Sequence, residues 1–529
     1  MKKIILIAFV SCLITLFTGC NNTNETVVFD NATQIEFSDE GIKADGEVIG
    51  TDMDAAVYIA NDIIYYETGH DLTYGEGDEK DAHTKEEAMA HTVVHISQPG
   101  TYRLSGELSK GQIAVDLGEE AEGDPEAVVT LILNNVDITC DVAPAIIFYN
   151  VYECGDTDTE NASKDIDTTT AGANIVIADG TTNTVNGSYV ARIYKPDSVV
   201  LSEDGTEVED AKKLHKYDGA LYSKMSMNIE GGTDNSGILN INAENEGLDS
   251  ELHLTINGGN INIVSGNDGI NTNEDGVSVT TINNGVLNIL VNGSTGEGDG
   301  IDSNGWLVIN GGTVITSACA DSADAGIDSD MGIHINGGTV MSSGHMLDRI
   351  EDGGQNYAVF HFAQMQDGKE SIILKDEADN VIIEHLPQNF FSVLIFSTPE
   401  LKAGTYTLWC DDKQLAGTNG GFMMEGPGGM MPGSGQRLEG EIPELPDNME
   451  FPEGMNPGEM MPPEMPEWGE KLAEMDNMEG FEIPEGIEPP TDIHQTPMEF
   501  PNQMNSDEFS KEFVISKGEN IFGNVSIAK

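Results

Sequence analysis

Basic side chains are what this sequence has least of. Its 92 aspartates and glutamates face 24 lysines and arginines, and residues 225–348 contain no lysine or arginine at all. A field of that sign repels nucleic acid and anionic lipid, and it favours solubility and cation binding. Nucleic acid is thereby excluded as a partner. Cysteine is also sparse. Setting aside Cys12 and Cys20 leaves Cys140, Cys154, Cys319 and Cys410. Four thiols in a chain of this size do not make a disulfide scaffold. Cys140 and Cys154 either pair across a loop or remain buried free thiols.

What is present begins with an export signal. Met1-Lys2-Lys3 leads into apolar residues 4–17 and then Thr18-Gly19-Cys20. A short basic stretch, a short apolar run and small residues before a cysteine describe a signal peptide, not a membrane span. Phe17-Thr18-Gly19-Cys20 resembles a bacterial lipobox. It predicts a signal peptide over residues 1–19, lipidation of Cys20, and a protein lipid-anchored at the extracellular face of the cell membrane.

A repeat then organises the chain. Ile229-Glu230-Gly231-Gly232, Ile256-Asn257-Gly258-Gly259, Ile282-Asn283-Asn284-Gly285, Ile309-Asn310-Gly311-Gly312 and Ile335-Asn336-Gly337-Gly338 stand 27, 26, 27 and 26 residues apart. A fixed period in this range marks units that bury their apolar faces only by stacking on one another. In Leu254-Thr255-Ile256 and Ile261-Asn262-Ile263, period-two alternation signals half-buried strands, and the glycines between them admit a tight corner. The period is too short for a propeller blade and carries no helical pattern. The predicted fold is all-β, a right-handed parallel β-helix of about 26 residues per coil. We expect residues 20–90 as tether and N-terminal cap, 91–355 as the β-helix with an acidic insert at 156–170, and 356–422 as a small antiparallel β domain. Residues 423–508, rich in Met, Pro, Glu and Gly, have too little apolar content for a core and are expected to be disordered. Residues 509–529 carry terminal strands that return to the β domain.

A second motif runs in register with the first: Glu246-Gly247-Leu248-Asp249-Ser250, Asp268-Gly269-Ile270-Asn271-Thr272, Asp299-Gly300-Ile301-Asp302-Ser303 and Ala325-Gly326-Ile327-Asp328-Ser329. Tyr217-Asp218-Gly219-Ala220 reads as a degenerate earlier copy. The aliphatic residue points into the core, so the acids are expected outside, near a corner. Equivalent residues on stacked strands lie roughly 4.8 Å apart. Unit charges at that distance repel by about 1 kcal/mol in bulk water and by more at a partly desolvated surface. Asn271 relieves part of this in the column Asp249, Asn271, Asp302, Asp328. Calcium, with bonds of about 2.3–2.6 Å to oxygen, would relieve more by bridging neighbouring strands. The candidate metal ligands are therefore Glu246, Asp249, Asp268, Asn271, Asp299, Asp302 and Asp328. The alternative is a ladder of carboxylates bonded to turn amides.

Three aromatic residues are candidate sugar platforms. Trp306 takes the place of His253 in the repeat, at an outward-facing position where an indole offers a flat apolar face. Tyr217 and Tyr222 are similar candidates. His91 and His95 sit four apart on a strand, too far from each other to share a metal.

Taken together, Pro99-Gly100-Thr101-Tyr102-Arg103-Leu104-Ser105-Gly106, Leu131-Ile132-Leu133-Asn134-Asn135-Val136-Asp137-Ile138, Asp218-Gly219-Ala220 and the two repeated motifs resemble the bacterial, largely clostridial, carbohydrate-binding domain-containing proteins. The resemblance covers residues 90–410. It implies a pectate-lyase-like parallel β-helix that binds cellulose or acidic pectic sugars with calcium in its structure, the calcium falling on Asp249, Asp302, Asp328 and the acids before their glycines. A β-helix lyase takes a proton beside a uronate with Arg or Lys, and residues 225–348 offer neither. The expected function is non-catalytic binding of a polysaccharide by a monomeric surface lipoprotein. The alternatives are a calcium-dependent pectate lyase-like or glycoside hydrolase-like enzyme and a structural or adhesive surface protein.

Overall fold

The computed structural model describes residues 31–38, 41–155, 157–419, 509–518 and 520–528. Cys20 with its signal sequence, and the Met/Pro/Glu-rich stretch of residues 423–508, lie outside the described residues. Strands dominate what is described. Helix is confined there to Lys85–Met89, capped by Thr84 and Glu87, and to the 3-10 turn Glu119–Gly123.

Three parallel ladders carry the repeat. The first runs through Thr33–Phe37, Gly100–Leu108, Val129–Cys140, Ala173–Ile177, Met227–Gly231, Leu254–Ile256, Val279–Ile282, Trp306–Ile309 and Gly332–Ile335. Its opening strand comes from the segment read as a cap. Along it Ile229, Ile256, Ile282, Ile309 and Ile335 stand opposite one another. The second ladder runs through Thr182–Gly187, Ile238–Ala243, Asn260–Ser265, Val286–Val291, Thr313–Ser317 and Thr339–Gly344. The third, in a separate eight-stranded sheet, contains Thr92–Ile96, Gly111–Asp116, Ile146–Asn150, Gly219–Ser223, Glu246–Ser250, Ile270–Thr272 and Ile301–Ser303.

One apolar core joins them. Ile229, Ile256 and Ile282 from the first ladder, Ile241, Ile263 and Ile289 from the second, and Leu248, Ile270 and Ile301 from the third are all buried in the same cluster. Each added unit removes such side chains from water at about 25 cal/mol per Å² of apolar surface. The motif's remaining letters have local causes. Its asparagines bond side chain to side chain along the ladder: Asn283 donates to Asn257 at 2.8 Å, Asn310 to Asn283 at 2.9 Å and Asn336 to Asn310 at 2.8 Å. Its final glycine turns the chain with a left-handed backbone, φ being 78° at Gly312. A Cβ there would also lie 2.8 Å from the Gly285 carbonyl oxygen.

The last strand of the second ladder, Thr339–Gly344, pairs antiparallel with Phe391–Ser397. That strand belongs to an antiparallel domain with Tyr357–Gln366, Ile372–Asp376, Val381–His385, Gly404–Cys410 and Lys413–Asn419. Phe513–Ile515 and Ile521–Ile527 return to it. Its own core packs Phe360 against Phe396, Phe513 and Phe522. The domain thus covers an edge that would otherwise present unpaired backbone groups.

Candidate functional site

The third ladder sets the acidic motif. Leu248, Ile270 and Ile301 enter the core, and the residues after them stand in register, Asp249 opposite Asn271 and Asn271 opposite Asp302. Tyr222 takes the equivalent place one strand earlier, opposite Asp249. The register also pairs Gly219 with Glu246, so Asp218 stands one residue ahead of the position that Asp218-Gly219 suggests by analogy with Glu246-Gly247.

These acids are not exposed. Asp249 is 0 %, Glu246 5 %, Asn271 8 % and Asp268 9 % accessible, where an outward corner predicts solvation. A long crossing between ladders reaches the Asp218, Glu246 and Asp249 part of this column. Most crossings here are short, as from Ala243 to Glu246, but the chain between Gly187 and Gly219 makes an antiparallel pair, Val190–Tyr194 with Lys213–Tyr217. That insert brings lysines to a sheet whose later strands have none. Lys216 Nζ lies 2.5 Å from Asp218, and Lys213 Nζ donates to both oxygens of Glu251 at 2.9 and 3.2 Å.

Asp218, Glu246 and Asp249, all buried, each bring a carboxylate oxygen within 4.8 Å of the others. Asn273 Nδ2 donates to Asp249 Oδ1 at 2.7 Å, the Asp218 amide to Asp249 Oδ2 at 3.3 Å, and Asn271 Nδ2 to Glu246 Oε1 at 3.2 Å. Glu246 Oε2 and Asn271 Oδ1 are buried without a hydrogen-bond partner. Burial, then the neighbouring Asp249 and Asp218 charges, hold the Glu246 carboxyl well above the usual range. Burial and then Asp218 do the same to Asp249. A buried oxygen cluster of this kind needs a proton or a cation.

The other four candidates behave differently. Asp268 Oδ1 accepts the Asp299 amide at 2.6 Å, and Asp299 Oδ1 accepts the Ala325 amide at 2.5 Å. Those two fit the backbone-bonded ladder. Burial comes first and nearby acids second in raising Asp302 to about 6, Asp328 to about 7, Asp268 to about 8 and Asp299 to about 9. Of the seven candidate ligands, then, Glu246 and Asp249 converge, and Asp218 joins them. Its place in a degenerate copy of the motif was the only sequence signal for it.

Trp306 is half-buried, between Val279 and Gly332 in the ladder. Tyr217 and Tyr222, 8 % and 2 % accessible, are no open platforms. They pack edge to face with ring centroids 5.0 Å apart, and half-buried Tyr149 packs on Tyr217 at 5.6 Å. All three line a cleft of about 990 Å³ between this sheet and the insert. His91 and His95 make no metal pair: His91 Nε2 lies 2.6 Å from Asp141, and His95 Nε2 lies 2.9 Å from Asp62. Cys140 and Cys154 are free thiols.

Residues 90–353 match the family model of carbohydrate-binding domain-containing proteins. A carbohydrate-binding domain-containing protein of Acetivibrio thermocellus is 28% identical over 177 residues, which is 33% of this chain and 46% of that protein. The chain thus matches less than half the length of that relative. A solved structure, the gadolinium derivative of a polysaccharide lyase-like protein from C. thermocellum, aligns with 58% of this chain and 90% of its own at 20% identity and a TM-score of 0.33.

Proposed function

We propose that this protein binds polysaccharide at the cell surface without cleaving it, on a right-handed parallel β-helix whose faces are the three ladders. Support for the coil comes from the isoleucine column, which recurs at the repeat spacing in an unbroken parallel register. Binding is supported by the family model that residues 90–353 match.

The observation that carries the non-catalytic half is the state of the charged groups. A glycoside hydrolase needs two carboxyls flanking a bound sugar, about 5–10 Å apart. Here Asp218, Glu246 and Asp249 are buried against one another. The cleft's paired lysines do not suit a lyase's base: burial lowers the Lys216 pKa, but the adjacent Asp218 charge outweighs it and keeps the ammonium charged. Lys213 is spanned by Glu251.

Calcium belongs to the same reading. The oxygens of Asp218, Glu246 and Asp249, with the unpartnered Glu246 Oε2 and Asn271 Oδ1, form a hard-oxygen set of the kind calcium takes. The ion would supply positive charge to stabilise the third ladder. Export, lipidation of Cys20 and anchoring at the extracellular face of the membrane complete the proposal, resting on the N-terminal motif. Trp306 remains a candidate platform on the first ladder. The test is a binding panel of cellulose, neutral glucans and polygalacturonate, with calcium and with chelator, monitored for new reducing ends and unsaturated products. We expect retention of at least one glycan and no product. Turnover of any member would overturn the non-catalytic reading.

A further inference from the structure

We propose that the cleft between the eight-stranded sheet and the Val190–Tyr194/Lys213–Tyr217 insert is the glycan site, and that it admits a single uncharged chain, excluding polyuronate and crystalline surfaces. This rests on the polysaccharide-binding reading and adds to it where the sugar sits and what kind of sugar it is.

Shape is the first argument. At about 990 Å³ the cleft lies at the upper end of the range for dedicated ligand sites, roughly 300–1,000 Å³. Being concave, it fits one chain, whereas a crystalline glycan face needs a flat partner. The insert contributes its Lys213–Tyr217 strand to one side and the sheet lines the other, with Glu119 and Glu122 at the rim.

The wall chemistry suits a sugar. Tyr149, Tyr217 and Tyr222 form one aromatic cluster on it, with Tyr149 the most accessible of the three. Tyrosine brings apolar area and a hydroxyl to one place, matching the alternating CH faces and hydroxyls of a pyranose. The polar groups are mainly acceptors. Asp62, Asp116, Glu119, Glu122, Glu251 and Glu274 line the cleft, against Lys213, Lys216 and Lys224. Ionised carboxylates accept hydrogen bonds and donate none, so they call for a ligand rich in hydroxyl donors.

Charge then selects among glycans. Two of the three ammonium groups are already committed, Lys213 to Glu251 and Lys216 to Asp218. Lys224 reaches only the amide oxygen of Asn150, at 3.4 Å. A polyuronate would thus meet a lining with an excess of unpaired carboxylates, and repulsion of that kind rejects a ligand that shape alone would accept. A neutral chain meets no such penalty.

The test uses the full-length protein and calorimetric titration with soluble cellohexaose, xylohexaose, mannohexaose and hexagalacturonate, in calcium and in chelator. Wild type should bind at least one neutral hexaose at least tenfold more tightly than hexagalacturonate. Tyr149→Ala should weaken that binding tenfold or more. A double charge reversal, Glu119→Lys with Glu122→Lys, alters two exposed side chains on the cleft rim. It should raise hexagalacturonate affinity at least fivefold, an effect that a folding defect would not produce. Loss of binding in Trp306→Ala with retention in the cleft variants overturns the site but leaves polysaccharide binding intact. A wild-type preference for hexagalacturonate, or retention on microcrystalline glycan without binding of any soluble hexaose, overturns the ligand class. If no glycan binds at all, both proposals fall.

Discussion

At the scale of single residues, Asp249 concentrates the physics of this protein. It is fully buried, stands opposite Asn271, and shares a 4.8 Å cluster with Asp218 and Glu246. Lys216 supplies the nearest positive charge, on Asp218. Three carboxylates with one ammonium group leave a deficit of positive charge that protons or calcium must meet. The variant Asp249→Asn separates the two. In chelator it replaces a buried carboxyl that must take up a proton with a neutral amide, so its melting temperature should be close to or above that of wild type. In calcium it has lost a ligand, so the gain from calcium should fall by more than half. Thermal melts of both proteins with and without calcium check this, and an undiminished calcium gain in the variant would remove the ion from this cluster. Tyr222 illustrates how far a residue type can mislead. It was a candidate platform, yet its hydroxyl donates to Glu251 at 2.6 Å and its ring packs edge to face on Tyr217 with 2 % of the residue accessible. Neither fact is visible in a tyrosine beside a serine.

At the scale of elements, the repeat is held by turns as much as by strands. The last glycine of the motif is left-handed at Gly259, Gly285, Gly312 and Gly338. In an L-residue that backbone costs about 1–2 kcal/mol. At Gly312 a Cβ also approaches the Gly285 oxygen at 2.8 Å. Gly296 has φ 101° but open space around it. Gly312→Ala should therefore cost about 1–3 kcal/mol and clearly more than Gly296→Ala. Urea unfolding of the two variants measures the difference, and equal losses would mean that the close approach is relieved at no cost. The ladder strands were legible because period-two alternation and turn glycines are local signals. The insert was not. Val190–Tyr194 and Lys213–Tyr217 are two strands joined by polar sequence, with no local mark to show that they fold back over the third ladder.

Across the whole molecule, a formal charge of −68 meets a fold that buries part of its acid. Asp328, Asp268 and Asp299 reach about 7, 8 and 9 in the folded chain, from an ordinary 3.8. Folded protein therefore holds protons that unfolded protein has already released, and stability declines as pH rises through that window. His385, pulled down to about 4 by burial, acts in the opposite sense, but only below its ordinary 6.5. In chelator the melting temperature should fall steadily from about pH 6.5 to about pH 9. Calorimetric scans across that range test it, and a flat profile would show these carboxyls already ionised in the fold. Spacing, alternation and composition along continuous stretches were enough for the all-β class, the strand positions of the repeat, the antiparallel strands toward the C-terminus and the acid column. Tertiary structure alone decided that the column is buried, that Asp218 and not Asp302 joins Glu246 and Asp249, and that three lysines face a tyrosine-lined cleft. These depend on which distant stretches meet after folding, and burial and electrostatics respond to distance in space, which a one-dimensional pattern does not contain.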